Sequence, residues 1–534
     1  MTVLQAIIIT IYFLFAQSTL PFGSMGTWAT IDRPLVAGLF VGCVLGDPVK
    51  GTMIGASINI ITLGVISAGG ALPMDSGYCG IFGTALALAG GLSTNEAITL
   101  AIPLGLLGSI MNTFTMTIQC FFVKIADKWI AEGKSKLVLV ADFFLPYSIK
   151  TIYRAAMAFV ILYYGPAAIE KVNAMLEGPI ITALDVMGGM IAAVGLGMLL
   201  TSIFKGKAKY FFFLGFLAAT FLGLGTIPTA LIFGIIAVML VGFNEEDFEA
   251  FRNAKDENAT SHQFKLVKKG TIVKSWVRWQ IFCETLYNYE RMQGIGFCTG
   301  MVPALEEIYK DDKEGLIESM KRHSMFFNTD HDFGGMILGM CIAMEEQKKL
   351  GEDIPEEAFV SLKSSLMGPC AGVGDTLSQV VLIPILAIIF TNLAAQGATW
   401  APIAYTIIFL AIFYGVGYWM LWVGYKNGGE TIFKIMESGL LDKVILAANM
   451  LGCAVTGQLL CNYISFNWTV SIVQDGFTVF DLQSGVFDAI LPNAMKLLLT
   501  LGVYWAIKKG KNAMHVTLGV MAIGLVLGLL GLAG

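Results

Sequence analysis

Charge is what this sequence has least of. Asp, Glu, Lys and Arg make up 14% of its 534 residues, where soluble domains carry about 25%. So few ionised groups cannot cover a water-soluble fold in which 56% of residues are hydrophobic and the mean hydropathy is +0.72. Most of the chain is built for a bilayer. The 34 basic and 39 acidic residues leave a net charge of −5, which excludes the basic face of a nucleic-acid binder. Histidine is scarce too, with 4 in the chain. No HExxH, no GxxxxGK[ST] and no GxSxG in a strand-turn-helix setting occurs, so neither ATP-driven transport nor hydrolysis has a motif to stand on. The 9 cysteines form no CxxC and lie mostly in apolar runs, where free Cys acts as a small hydrophobe. No disulfide framework, metal or other cofactor is expected.

Apolar runs are what the chain has in quantity. A span needs about 20 mostly apolar residues, and residues 3–20, 98–123, 144–164 and 179–203 qualify. The first lacks a basic leader region and an Ala-x-Ala site, so it reads as a retained span. Residues 35–93 are cut by Gly and Pro, and 210–242 is interrupted around Gly223, Gly225, Pro228 and Thr229. Residues 244–269 turn abruptly polar, NEEDFEAFRNAKDENATSHQFKLVKK, and read as a linker. Roughly a hundred water-compatible residues follow, and spans resume near 380–396, 402–424, 439–461, 485–507 and 514–534. The expected fold is an all-α polytopic membrane protein with two helical modules in series, 1–243 and 270–534, containing re-entrant or broken segments. Within the second, 270–365 is expected to be cytoplasmic or interfacial and 366–534 to lie in the membrane. Trp276, Trp279, Phe282, Leu286 and Tyr289 recur at helical spacing among charges, which predicts an interfacial amphipathic helix. Lysines after four spans, at 124–136, 205–209, 426 and 508–511, place those loops and the linker inside.

Three stretches carry polar groups of interest. Residues 51–80, GTMIGASINIITLGVISAGGALPMDSGYCG, are rich in glycine that suits close helix packing, but packing does not explain Asn59 and Asp75. An intramembrane carboxylate is costly unless it is paired or faces a cavity, so Asp75 is a candidate functional residue. Residues 364–384, SSLMGPCAGVGDTLSQVVLIP, place Asp375, Ser378 and Gln379 after Pro369 and several glycines. That composition predicts an unwound or re-entrant element whose freed backbone groups could bind a polyol, or a purely structural helix break. Residues 320–339 gather His323, Asn328, Asp330, His331 and Asp332. Adjacent side chains point in different directions, so a solvated loop is expected there and not a metal site.

Taken together the motifs resemble a known family. NYERMQGIGF (288–297), Arg322-His323 followed by FFNT (326–329), MGPCAGVGDT (367–376) and GYKNGG (424–429) resemble the D membrane component of the mannose-type sugar phosphotransferase system. Arg33-Pro34, VGCVLGD (41–47), GASINIITLG (55–64) and GGALPMD (69–75) resemble its C component. The resemblance implies a bacterial inner-membrane, multi-pass permease for a hexose or hexose derivative, with the two components fused through 244–269. It also implies that histidines of separate cytoplasmic A and B components hand on the phosphate, and that the C–D pairs assemble as a trimer with an elevator-like core in lipid. No catalytic residue of its own is then expected. Several polar positions depart from the family pattern: Asn59 stands where Glu is common, and Gln379 and Ile383 replace a Trp and an Arg. Asp75 and Asn328 match. Such changes in a kept scaffold suggest an unusual substrate. The expected sugar contacts are Asn59, Asp75, Asn328, Asp375, Ser378 and Gln379, shared between the modules. The alternatives are an ion-coupled transporter using Asp75 or Asp375, and a membrane receptor or scaffold.

Overall fold

The computed structural model describes residues 1–65, 74–175, 179–243, 266–437, 440–474 and 477–533. The polar linker lies almost wholly outside the described residues, as do Gly69, Gly70 and Ala71. Helices dominate, and the strands Ser471–Gln474 and Phe477–Asp481 pair as a two-stranded antiparallel ribbon. Among the described residues, four helices are long and apolar enough to cross a bilayer: Thr94–Ala131, Glu356–Ala395, Ala401–Lys426 and Lys443–Tyr463. A bent pair, Gln483–Ile490 with Ala494–Lys508, adds a fifth.

Thr94–Ala131 starts from a reciprocal cap in which Ser93 accepts from the Glu96 N–H and Glu96 accepts from the Ser93 N–H. Its 38 residues extend about 57 Å, more than the roughly 30 Å hydrocarbon core, so one end projects beyond it. The turn that follows packs on the second half of the chain, where Ser135 Oγ donates to Glu306 at 2.6 Å. The first helix is shorter than the expected span, 14 residues over Val3–Ala16, because the chain turns at Ser18–Pro21.

The two halves do not stand in series as separate modules. Pro179–Ile203, Ala208–Leu222 and Thr226–Val241 from the first half pack against Leu440–Tyr463, Ala494–Lys508 and Ala513–Leu529 from the second. A Cβ on Gly457 would lie 2.0 Å from the Phe212 carbonyl, so these helices meet backbone to backbone. The remaining helices form another body, again drawn from both halves. In it Pro34–Leu45 and Pro48–Thr62 cross at Gly38, Gly51 and Gly55, as small-residue packing requires.

Three expectations are corrected here. Residues 367–379 are not unwound: Glu356–Asp375 continues through a π-helical turn, Thr376–Leu382, into Ile383–Ala395 as one 40-residue helix. Pro369 removes one donor only, and Thr376 and Ser378 hydroxyls donate back to the Gly372 and Gly374 carbonyls at 2.7 and 2.8 Å. The tryptophans of Lys269–Phe282 face the protein interior and not its surface. Trp279 is fully buried against Phe297 and Phe327, and its indole N–H donates to the His331 carbonyl at 2.7 Å. Residues 320–339 are not a solvated loop. His323, Asp330, His331 and Asp332 are all buried, and Asp330 caps the helix His331–Lys349 by accepting from the Asp332 and Phe333 N–H groups at 3.0 and 3.3 Å.

Candidate functional site

A cavity of about 190 Å³ opens between residues of the two halves. A water needs about 10–15 Å³ on this measure, so the space suits a solute the size of a hexose.

The first-half wall is a charge network. Gln17 caps the end of Val3–Ala16, and its Nε2 donates to Asp32 Oδ1 at 2.8 Å and to Asp75 Oδ1 at 3.1 Å. Its Oε1 accepts from Arg154 Nη1 at 2.8 Å. One amide therefore links a guanidinium to two carboxylates. Arg154 Nη2 also donates to Thr115 Oγ1 at 3.3 Å. Asp75 accepts from the Tyr78 N–H at 3.1 Å, while its own N–H donates to the Gly105 carbonyl at 3.0 Å. Asp32, Asp75 and Arg154 are all buried. Lys150 reaches the same cavity from one turn earlier on Leu145–Met175.

The second-half wall is built from turns and helix starts. Gln293 Nε2 donates to the Thr329 carbonyl at 3.0 Å and its Oε1 accepts from the Thr329 N–H at 2.9 Å. That pairing holds the 324–330 turn in place. Tyr287 donates its hydroxyl to Asn328 Oδ1 at 3.1 Å. Glu284 accepts from Gln293 Nε2 at 3.3 Å and lies 3.5 Å from His331 Nε2. From the long helix Glu356–Ala395, Asp375 and Gln379 face the cavity, with Gln379 Nε2 donating to Asp375 Oδ1 at 3.0 Å. This helix approaches so closely that a Cβ on Gly374 would sit 2.3 Å from Asp330 Cβ.

Four of the six expected residues line the cavity: Asp75, Asn328, Asp375 and Gln379. Ser378 does not. It is buried behind the wall and donates to Asp330 Oδ2 at 3.1 Å, fastening the long helix to the capping carboxylate. Asn59 is also absent from the cavity, contrary to expectation. Its Nδ2 donates to Thr391 Oγ1 at 3.0 Å in the seam between Pro48–Thr62 and Ile383–Ala395. A polar side chain in an apolar helix can satisfy a neighbouring helix as readily as a substrate, and Asn59 does the former.

The residues missed are Gln17, Asp32, Lys150, Arg154, Glu284, Tyr287 and Gln293. For Lys150 and Arg154 the signal was present. Two basic residues inside the apolar run 144–164 are functional candidates by the same cost argument that singled out Asp75. Gln17 carried none, because an amide at a helix end is ordinary. Among the described residues no group of three His, Cys, Asp or Glu side chains is placed to hold a metal.

Helices that cross a bilayer, enclosing a polar cavity of solute size lined by residues of both halves of the chain, define a membrane permease. Comparison with known proteins supplies the family. Residues 3–239 match the family model of the sorbose-specific IIC component of the phosphotransferase system. Residues 266–533 match that of the IID component of its mannose/fructose/sorbose family. The mannose-specific EIID component of Escherichia coli K12 is 34% identical over 258 residues, covering 46% of this chain and 89% of the relative. The sorbose-specific EIID component of Lacticaseibacillus casei is 30% identical, covering 49% and 92%. For the first half, the mannose-specific EIIC component of E. coli K12 is 31% identical over 211 residues, covering 39% and 79%. A solved mannose transporter in complex with microcin E492 aligns at 30% identity and a TM-score of 0.30, covering 51% of this chain and 99% of that one. The chain belongs to the mannose/fructose/sorbose family of the sugar phosphotransferase system, with C-type and D-type permease components joined in one inner-membrane polypeptide.

Proposed function

We propose that the chain carries a hexose or hexose derivative through the cavity between its halves, while separate cytoplasmic A and B components phosphorylate it. The cavity carries this reading, because it supplies what a neutral sugar needs. Each hydroxyl is both donor and acceptor, and a pocket that desolvates it must return those bonds. Asp75, Asn328, Asp375 and Gln379 are the sugar contacts in this reading, joined by Asp32 and Glu284. Ser378 and Asn59 position helices. Residues 1–243 act as the C-type part and 270–534 as the D-type part, with 244–269 a cytoplasmic tether and 270–365 on the cytoplasmic side. The family resemblance supports a trimeric assembly, and exposed Ile235, Val238 and Met239 on Thr226–Val241 support contact with lipid.

The test uses inside-out vesicles loaded with labelled mannose, fructose or sorbose, then given phosphoenolpyruvate and a cytoplasmic extract that supplies phosphocarriers. Accumulation of sugar phosphate that depends on phosphoenolpyruvate is expected. Transport driven by a proton or sodium gradient without it would overturn the reading in favour of an ion-coupled carrier.

A further inference from the structure

We propose that Lys150 is the phosphoryl-binding residue of the cavity, receiving the phosphate as the sugar ester forms; this rests on the function proposed above. Of the two Lys and Arg side chains on the cavity, Arg154 is engaged by Gln17 and Thr115. Lys150 makes no hydrogen bond to a described residue and has no carboxylate within 4.0 Å. A half-buried ammonium in a largely apolar helix without a fixed partner is costly. An ammonium held ready for an incoming anion accounts for that cost.

Its place along the helix fits the task. Lys150 lies near the start of Leu145–Met175, with Arg154 one turn deeper. The preceding turn packs through Ser135 on Glu306, in the part of the chain assigned to the cytoplasmic side. Lys150 thus stands between that side and the Gln17–Asp75 network where the sugar is placed. In the transfer, the N–P bond of a phosphohistidine on the soluble donor breaks and an O–P bond to a sugar hydroxyl forms. The hydroxyl proton ends on the imidazole nitrogen that the phosphoryl group leaves. Such transfers depend on positioning and on cations that meet the charge of the phosphoryl oxygens, and lysine serves as a point charge for phosphate.

The neighbours then favour release. Asp32, Asp75, Glu284 and Asp375 line the same cavity, so a finished ester meets one free ammonium and four carboxylates. A dianion is held while the donor's charge is being passed on and repelled once the donor departs.

The test compares Lys150→Gln and Lys150→Arg in the full chain, in vesicles with phosphoenolpyruvate and the phosphocarrier extract. Binding of the sugar that the wild type phosphorylates is measured alongside the phosphorylation rate at saturating sugar. A lost charge-assisted contact corresponds to about tenfold to a hundredfold. Lys150→Gln is expected to lose that much in rate with sugar affinity within about twofold of wild type, and Lys150→Arg to recover most of the rate. A parallel loss of sugar affinity, or a Lys150→Gln rate equal to wild type, would overturn the assignment. If Lys150→Gln does not insert, the arginine variant decides, because a rate as low as an uncharged site would give then counts against it. A wild type that phosphorylates no sugar sinks the proposed function itself, whereas an active wild type with an equally active Lys150→Gln sinks only the lysine's role.

Discussion

The two walls of the cavity are held by different physics. On the first-half wall, side chains far apart in sequence hold one another: Gln17 joins Asp32, Asp75 and Arg154. On the second-half wall, the bonds that fix the turn and the helix start run from side chain to backbone. Gln293 clamps Thr329, and Asp330 caps its own helix. Buried charges that depend on each other fail together, because removing one leaves the rest uncompensated. Capped turns fail locally. Damage to the first wall should therefore cost folding and transport at once, and damage to the second should cost transport before folding.

The strongest way to break this contrast is Arg154→Met. It removes the guanidinium that Gln17 links to Asp32 and Asp75, and leaving buried carboxylates uncompensated costs about 3–5 kcal/mol. The expected outcome is a large drop in thermal stability in detergent and loss of uptake. A fully stable, inactive protein would show that the first wall is no more interdependent than the second. Gly374→Ala probes the second wall at its tightest point. The added methyl meets Asp330 Cβ at 2.3 Å, and overpacking of this kind costs about 1–3 kcal/mol. Uptake should fall while the protein still inserts and purifies. A smaller effect is expected for Asn328→Ala, which removes the acceptor of the Tyr287 hydroxyl and one bond to sugar. At about 0.5–1.5 kcal/mol, sugar affinity should drop by up to roughly tenfold with no change in melting temperature. Unchanged affinity would remove Asn328 from the site.

The same contrast explains what the sequence revealed. Asp75 was legible as an isolated carboxylate in a Gly-rich apolar stretch, where burial is expensive without a use, Asp375 and Gln379 because they follow Pro369 and several glycines, and Asn328 only through its match to the family motif. The membrane class and the position of the long helices followed from apolar runs of sufficient length. The interleaving of the halves was not legible, because it depends on which apolar faces meet, and hydropathy does not distinguish one Leu-rich face from another. Gln17 was invisible for a related reason: its role depends on Asp32, Asp75 and Arg154 arriving from three other segments. The 367–379 helix was misread because local propensity penalises Pro369 and the nearby glycines. Close packing on Asp330 and the π turn at Thr376–Leu382 override that penalty.

Asn59→Ala tests the boundary of the site and has the smallest expected effect. Asn59 and Asp75 look alike in sequence, single polar residues in the same apolar segment, yet only Asp75 reaches the cavity. Asn59 is fully buried and donates to Thr391 Oγ1 at 3.0 Å, while its Oδ1 has no hydrogen-bond partner. Truncation deletes one good bond, but it also deletes a buried acceptor that is already unsatisfied and therefore already costly. The two effects oppose each other, so the net loss of stability should stay below about 1 kcal/mol, read as a small shift in melting temperature. Sugar affinity should match the wild type, since no cavity-lining group loses a bond. An affinity loss comparable to that of Asn328→Ala would place Asn59 in the site after all, and with it the seam between Pro48–Thr62 and Ile383–Ala395.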